Sequence, residues 1–436
     1  MKTKQTMGSV AKCLISFSMP LVLSGLFQQL FNWVDAFIVG NTEGELALAG
    51  IGATTSVYNL FVTAITGFTS GLSVLSARQF GMGNVKNVTK ILSTFAVSLS
   101  LIFAAISIAG IWFTAPILTL LHTPQNIFAN AENYLKILFI GVPFLALYNT
   151  YSAILRGIGN SKAPFLSVLV SSAANVALDI LFVVVLKYGT VGAAMATIIA
   201  QISMAIFIIA YGVFKHPALR FSRNTIDPSS LKQGLRFGLP LSIQSGISSV
   251  GNIYLQQFMN GFGEQTVAAI TTAYRVDTVI FLPIINFGSG IATLVAQNVG
   301  AGNQSCAKKV FRIGTAIMAI ISLCLTCLVL LSGELLIAMF GLTSQSVAIG
   351  TSFFHSIAVF YIVYGLSTSI RGYLEGKGNL LFSGIAGISS LLVRIVCSYS
   401  FKDVFGNMVV AYAEAFSWIF LLGAFLLYYI VEERKK

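Results

Sequence analysis

Long apolar segments recur along the whole chain and constrain its fold more than any other feature of the sequence. Each is close to or longer than the roughly 20 residues that a membrane-spanning helix needs. They lie near residues 14–39, 46–77, 89–113, 133–156, 163–186, 190–214, 237–261, 266–297, 310–332, 350–373, 381–401 and 406–431. Backbone polar groups in lipid are satisfied only by helices or closed barrels, and these segments are longer than barrel strands. The sequence therefore predicts an all-α membrane protein with twelve transmembrane helices.

The basic residues are distributed asymmetrically over the predicted loops. The formal net charge is +12, yet all but five of the 26 lysines and arginines lie on the same side as both termini. The exceptions are Lys136, Lys187 and Lys402 on the other side, and Arg275 and Arg394 within helices. By the positive-inside rule we predict a multi-pass protein of the cytoplasmic (inner) membrane with both termini in the cytoplasm. The charge then reflects topology, and no nucleic-acid partner is expected.

Short motifs recur at a constant spacing between the two halves of the chain. Gly81-Met-Gly-Asn84 matches Gly300-Ala-Gly-Asn303, and Phe68-Thr-Ser-Gly71 matches Phe287-Gly-Ser-Gly290, both at an offset of 219 residues. This duplication predicts two six-helix lobes, residues 1–214 and 237–436, joined by a cytoplasmic linker at 215–236. Because six is even, the lobes share their orientation and are related by a pseudo-two-fold axis along the membrane normal. Two such lobes around a cleft favour a transporter.

The sequence contains no nucleotide-binding motif and no arrangement of histidines that is typical of an enzyme. No phosphate-binding Gly-x-x-x-x-Gly-Lys-Ser/Thr occurs in the sequence, which argues against ATP as the energy source. His122, His216 and His355 are scattered, with neither metal-ligand spacing nor a Ser/His/Asp arrangement. We expect a transporter rather than an enzyme, with no cofactor beyond a coupling ion and no metal except Na⁺ in that role.

Four acidic residues fall inside the predicted spans: Asp35, Asp179, Asp277 and Glu414. A charge at this depth costs at least ~2.5 kcal/mol, so each is a candidate functional residue. The alternative to a functional role for Asp35 and Asp179 is that each is a structurally incidental acid, hydrated at the outer end of its helix. For Asp277, a structural ion pair with Arg394 is as acceptable as a transport role. Glu414 takes the place of Gln201 in the repeat if the last outer loop is six residues shorter.

Polar residues near the first two acids follow helical spacing. Ser24, Gln28, Asn32 and Asp35 form one stripe, and Ser171, Asn175 and Asp179 form another. Thr197 and Gln201 form a third pair, and Asn149 adds an amide. Two carboxyl groups among amides and hydroxyls suit either a protonation switch or a cation with oxygen ligands.

The carboxy-terminal half offers a neutral polar wall and aromatic residues. Gln244, Ser248, Asn252 and Gln256 recur by four, and Tyr254 stands where the repeat would place Asp35. A mostly apolar cleft with a few acids suits lipophilic organic cations, although each aromatic could equally serve core packing. The residues predicted to line this substrate cleft are Gln28, Asn32, Gln201, Gln244, Ser248, Tyr254, Asp277 and Glu414.

The ordered set of motifs resembles the multidrug and toxic compound extrusion (MATE) transporters over essentially the whole chain. The resemblance rests on Asn32-Trp-Val-Asp35, Gln79-Phe-Gly-Met-Gly-Asn84, Leu155-Arg-Gly-Ile-Gly-Asn160 and Asn175-Val-Ala-Leu-Asp179. It implies a secondary antiporter that exports drug-like, often cationic molecules in exchange for inward H⁺ or Na⁺. The chain is more similar to the prokaryotic DNA-damage-inducible and MepA-like branch than to the NorM branch, whose acid in the seventh helix is replaced here by Gln244 and Ser248.

The resemblance also implies roles for particular residues. The coupling-ion network carries over onto Asp35, Asn149, Asn175, Asp179 and Thr197, and Pro20 matches the proline at which the first helix bends. A flippase for lipid-linked precursors, from the same wider superfamily, is the alternative function. It would need a basic cleft for pyrophosphate, and only Arg275 and Arg394 lie within helices. We expect a monomer surrounded by membrane lipid, acting on small-molecule substrates.

Overall fold

The computed structural model describes residues 7–221 and 226–434, and this part of the chain is almost entirely helical, with no β-strand. The basic residues Lys2, Lys4, Arg223, Lys435 and Lys436, which contribute to the predicted charge asymmetry, lie outside the described residues. All twelve predicted segments coincide with helix. The predicted all-α fold class is therefore confirmed.

Six long helices and one π-helical segment form the first half of the chain. They are α1 (Met7–Glu43), α2 (Glu45–Gly81), α3 (Val85–Leu120), α4 (Gln125–Gly157), α5 (Lys162–Asp179), the π-helical segment (Ile180–Val185) and α6 (Gly189–Lys215). The second half contains α7 (Pro228–Asn260), α8 (Glu264–Ile280), α9 (Leu282–Gly300), α10 (Gln304–Ala338), α11 (Ser344–Ile357), α12 (Tyr361–Lys377), α13 (Leu380–Ser400), α14 (Lys402–Phe405) and α15 (Val409–Arg434).

The lengths and hydropathies of these helices agree with ten to twelve membrane spans. Within the described residues, ten helices are long and apolar enough to cross a membrane, and the pair α8 and α9 makes an eleventh when counted as one bent span. Helix α7 has 33 residues, but its glutamines and serines lower its hydropathy below that of the others. It supplies the twelfth predicted span.

The bend between α8 and α9 has a local cause. The two helices meet at 40°, and Pro283 follows the break within the first turn of α9. Proline lacks the N–H that would continue the α8 hydrogen-bond ladder, and its ring clashes with the preceding turn. Phe281 lies at the break between α8 and α9.

The repeated Gly-x-Gly-Asn motifs form the same turn in both halves. Gly83 and Gly302 have positive φ angles of 73° and 71°, a conformation that glycine adopts without steric cost. Asn84 then caps α3 by accepting a hydrogen bond from the Asn87 N–H, and Asn303 caps α10 in the same way. The motifs are therefore turn and cap signals.

The described helices pack into two compact units whose boundaries differ from the predicted lobes. The amino-terminal unit comprises Leu23–Ser242, and the carboxy-terminal unit comprises the described residues up to Val22 together with those from Ile243 onward. The repeat predicts divisions at 214 and 237. In the structure, the start of α1 belongs to the carboxy-terminal unit, and the start of α7 belongs to the amino-terminal unit.

Two glycines at equivalent repeat positions allow these exchanged helix starts to pack closely. In the amino-terminal unit, a Cβ on Gly71 of α2 would lie 2.1 Å from the Phe237 carbonyl oxygen of α7. In the carboxy-terminal unit, a Cβ on Gly290 of α9 would lie 2.3 Å from Ser18 Oγ of α1. Only glycine permits such an approach.

Each unit has its own apolar core. In the amino-terminal unit α4 lies against α2, α3 and α6, with Phe95 and Phe139 among the buried side chains. In the carboxy-terminal unit Phe353, Tyr361 and Trp418 belong to one buried cluster. These cores fix the helices that carry the intramembrane polar residues.

Candidate functional site

Asp35 of α1 and Asp179 of α5 lie side by side in the amino-terminal unit. Asp179 is fully buried, at 0% exposure, and Asp35 is partly buried. Their carboxyl groups lie within electrostatic range of each other. Two ionised carboxyl groups that share a site repel one another. Asp35 Oδ1 and both Asp179 carboxyl oxygens are buried and have no hydrogen-bond partner in the described part of the chain.

The backbone changes its helical type directly after Asp179. Helix α5 ends at this residue, and Ile180–Val185 continues as a π-helix. Gly192 of α6 packs against this segment, because a Cβ there would lie 3.1 Å from the Phe182 carbonyl oxygen. Short π-helical segments are rare and occur frequently at functional sites.

Tyr134 of α4 is a member of this site that the sequence analysis missed. Its side chain is buried, at 6% exposure, and interacts with Thr197 of α6. It lies within electrostatic range of both Asp35 and Asp179. It also packs in a small cluster with Val39 and Val183, so α1, α4, α6 and the π-helical segment meet around it.

Gln201, predicted to line the substrate cleft, is buried among the helices of the amino-terminal unit. Its amide donates a hydrogen bond of 2.6 Å to the Tyr58 hydroxyl of α2. Gly141 of α4 makes room for this side chain, since a Cβ there would lie 2.3 Å from Gln201 Oε1. The sequence analysis also missed Tyr58, although the offset of 219 residues between the two repeats makes it the counterpart of Asp277.

The other predicted members of the coupling network form no hydrogen bond with the two acids in the described residues, and Asn149 is the buried one among them. Asn149 donates to the Leu145 carbonyl of its own helix at 2.9 Å, and Thr197 donates to the Ala193 carbonyl at 3.0 Å. The Asn175 amide nitrogen is buried and has no hydrogen-bond partner within the part of the chain that the structure describes. Gln28 and Asn32 are exposed. Pro20 lies inside α1, which continues through it as helix.

A cavity of about 490 Å³ lies within the carboxy-terminal unit, and both predicted acids of that half line it. Glu414 forms an ion pair of 2.8 Å with Arg394, whose guanidinium also donates to the Tyr274 hydroxyl at 2.7 Å. Asp277 accepts a hydrogen bond of 2.5 Å from the Tyr361 hydroxyl. The suggested pairing of Asp277 with Arg394 is wrong, because Glu414 occupies the guanidinium.

The structure also corrects the repeat position of Glu414. Gly189 and Gly406 both have positive φ, at 58° and 55°, and each precedes the last long helix of its half. Ser171 donates to the Ala200 carbonyl, and Ser390 donates to the Ser417 carbonyl. Gly189 and Gly406 are 217 residues apart, and so are the accepting residues Ala200 and Ser417, which gives an offset of 217 for this region. Glu414 is therefore the counterpart of Thr197, not of Gln201.

The remaining predicted cleft residues lie outside this cavity. The side-chain Oε1 of Gln244 accepts a hydrogen bond of 3.2 Å from Arg371, and Ser248 is partly buried. Tyr254 is 47% exposed, and its ring lies 5.9 Å from that of Tyr399. Across the described residues, no group of three or more His, Cys, Asp and Glu side chains could hold a metal ion.

Polar and ionisable residues enclosed within bundles of long apolar helices define a membrane transporter. The chain belongs to the MatE family, whose model matches residues 20–181 and 240–400. It is 28% identical to the "Probable multidrug resistance protein YpnP" of Bacillus subtilis, covering 97% of this chain and 96% of the relative. It is 23% identical to the "Multidrug export protein MepA" of Staphylococcus saprophyticus, covering 98% and 95% of the two chains. The MepA proteins of the predicted branch are thus among its relatives.

Two solved structures support the same fold. The "Crystal structure of MATE in complex with MaL6" superposes with a TM-score of 0.91 at 22% identity, covering 98% of each chain. The "Outward-facing conformation of a multidrug resistance MATE family transporter of the MOP superfamily" gives a TM-score of 0.90 at 21% identity, covering 98% of this chain and 97% of that one.

Proposed function

We propose that this protein is a secondary antiporter of the cytoplasmic membrane that exports drug-like organic cations in exchange for inward protons. Its family and the multidrug resistance and export names of its relatives support the export of small molecules. The coupling site consists of Asp35 and Asp179. Tyr134, which lies within electrostatic range of both acids, and Thr197 complete this site.

Two carboxyl groups lie close together between helices, with three of their oxygens buried and without a hydrogen-bond partner in the described residues, and this observation carries the proposal. Two carboxylates in contact repel one another, so a shared site of this kind holds a proton in one state and releases it in another. Asp35 belongs to α1 and Asp179 to α5. Protonation therefore joins two helices, and deprotonation separates them.

Transport requires that this change be linked to substrate. A proton shifts the balance between two conformations only if it binds them with different affinities. By linkage, substrate and proton must then antagonise each other by equal factors. Saturation with protons should weaken substrate binding in the state that receives substrate.

The decisive experiment is ethidium efflux from proteoliposomes under an imposed pH gradient or an imposed Na⁺ gradient. We expect efflux to follow the pH gradient, and both Asp35→Asn and Asp179→Asn to abolish it. Glu43→Gln, at the exposed end of the same helix α1, is the matched control and should transport normally. Efflux that follows only Na⁺ would replace the proton by that ion at the same site.

Two outcomes would contradict the proposal. Undiminished efflux in Asp35→Asn would remove this pair from coupling. No efflux under either gradient, with lipid scrambling in the same vesicles, would favour the flippase. The proposed topology predicts cytoplasmic protection of both termini from external protease in intact cells, and the proposed monomer predicts a single-chain mass in detergent by light scattering.

A further inference from the structure

The cavity of the carboxy-terminal unit is built at the repeat positions of the amino-terminal polar site. The offset of 219 relates Tyr58 to Asp277, Asn175 to Arg394 and Asp179 to Ser398. The offset of 217 relates Thr197 to Glu414. All four carboxy-terminal counterparts line the cavity of about 490 Å³. The same place in the two repeats therefore carries two different sets of charges.

The charges around this cavity leave one acid without a cationic partner. Arg394 is held by Glu414 at 2.8 Å and by the Tyr274 hydroxyl. Asp277 is 3% exposed, and its hydrogen bond comes from the neutral Tyr361 hydroxyl. In the described part of the chain Asp277 forms no salt bridge. An ionised Asp277 would give the cavity a net negative charge that a ligand must balance.

The size and walls of the cavity indicate which ligand this is. A proton or Na⁺ needs no such space, whereas cavities of roughly 300–1,000 Å³ hold drug-sized molecules. Phe258, Met259 and Phe281 contribute apolar and aromatic surface. Aromatic faces attract cations that have been stripped of water.

We propose that this cavity binds a monovalent lipophilic organic cation, with Asp277 as its counter-charge. This inference rests on the proposed export function and adds the place and the residue of substrate binding. The Arg394–Glu414 pair is retained as a neutral wall that fixes α13 against α15. Tyr361 orients the Asp277 carboxyl group toward the cavity.

The chain contains a natural reporter for this site. Its three tryptophans are Trp33, Trp112 and Trp418. The Trp418 ring lies 5.8 Å from the Phe281 ring in an edge-to-face contact, and Phe281 lines the cavity. A Trp33→Phe/Trp112→Phe background leaves Trp418 as the single tryptophan, whose fluorescence should respond to a bound ligand.

The test titrates tetraphenylphosphonium into the purified full-length background protein. We expect saturable quenching of Trp418 fluorescence, at least about 30-fold weaker binding in Asp277→Asn, and near-native binding in Asp277→Glu, which keeps the charge. Glu264→Gln is the matched control, because Glu264 lies on the same helix but outside the cavity. The neutral triphenylphosphine oxide should bind the native and Asp277→Asn proteins equally.

Equal affinity of tetraphenylphosphonium for the native and Asp277→Asn proteins would overturn the inference. If Asp277→Asn fails to fold, as judged by gel filtration and circular dichroism, the native and Asp277→Glu proteins still decide. Equal affinity for the phosphonium cation and the neutral oxide would then refute a role for charge. Gradient-driven efflux with Asp277-independent binding refutes this inference alone, whereas Asp277-dependent binding without efflux under any gradient refutes the proposed function.

Discussion

Tyr134 offers a test of whether one hydroxyl group positions the two acids of the proposed coupling site. It interacts with Thr197 of α6 and lies within electrostatic range of Asp35 and Asp179. Tyr134→Phe removes the hydroxyl group and keeps the ring. A typical net hydrogen bond contributes about 1 kcal/mol, so we expect proton-driven efflux to fall by about fivefold, with a shifted pH profile.

The pH profile is the part of this measurement that separates positioning from packing. Phe139→Leu, in the apolar core of the same helix, should lower protein yield or thermal stability without moving the profile. A Tyr134→Phe protein with the native profile would show that the tyrosine only fills space.

Asp227 provides a pH-dependent contribution to stability outside the membrane. It accepts hydrogen bonds from the Ser229 hydroxyl and from the Ser230 N–H and hydroxyl at the start of α7. These bonds lower the pKa of Asp227 below its usual value. A lowered pKa means that the folded protein favours the charged form, so this stabilisation is present above the unfolded-state pKa of about 4 and disappears as the pH falls through the folded-state pKa.

The measurement is the difference in unfolding temperature between the native protein and Asp227→Ala. We expect a clear difference at pH 7 that shrinks below about pH 4. A difference that stays constant across this range would show that the carboxylate charge does not contribute to the cap.

At the scale of helices, two glycine contacts allow a matched comparison. Gly71→Ala would push its methyl group into the Phe237 backbone, whereas Gly290→Ala would meet side chains only, with the Ser18 hydroxyl nearest. Backbone cannot rotate away, but a serine side chain can. We expect Gly71→Ala to destabilise its unit by about 1–3 kcal/mol and Gly290→Ala by less.

Thermal unfolding in detergent tests this order, and Ser18→Ala supplies the control. Ser18 Oγ is buried and has no hydrogen-bond partner among the described residues, so removing it should restore most of the stability of Gly290→Ala. Equal losses for Gly71→Ala and Gly290→Ala, with no rescue by Ser18→Ala, would contradict these close contacts.

The helices could be predicted from sequence because length and hydropathy are local properties, and all twelve segments are helical. The spacing of Asp35 with Asn32 and Gln28 predicted a polar face around one acid, and the structure leaves Gln28 and Asn32 exposed and Asp35 partly buried. Tyrosines such as Tyr134 and Tyr361 gave no comparable signal, since a tyrosine in an apolar helix is usually packing material. Their hydroxyl partners lie on distant helices.

Two features of the elements required the structure for a different reason. The repeat position of Glu414 depended on a loop length. The matching φ angles of Gly189 and Gly406, together with the equivalent serine-to-carbonyl hydrogen bonds, fixed it. The exchange of the α1 and α7 starts leaves no trace in hydropathy, because a helix start reads the same whichever unit it packs against.

For the whole molecule, the exchanged helix starts predict that neither half of the chain is self-sufficient. A chain cut in the 222–225 segment yields halves that each lack one helix start of their own unit. We expect the two halves to associate when expressed together, with one tag recovering both. Each half expressed alone should aggregate or be degraded, because its unit lacks a packed helix.

Expression of the first half with a cut at 242 instead of 222 is the matched control. It adds the start of α7 to the amino-terminal unit and should improve the yield and the monodispersity of that half. A stable, monodisperse first half ending at residue 221 would contradict this prediction.

The exchange of helix starts also bears on how such a chain could arise. A protein with one repeat could form the same contacts if two copies associated and the first helical turns of each copy packed against the other copy. That arrangement is a domain-swapped homodimer, which forms at little energetic cost because the exchanged segments are identical. Gene duplication and fusion would then preserve the swap, and the two copies would be free to diverge in charge while remaining mechanically dependent on each other.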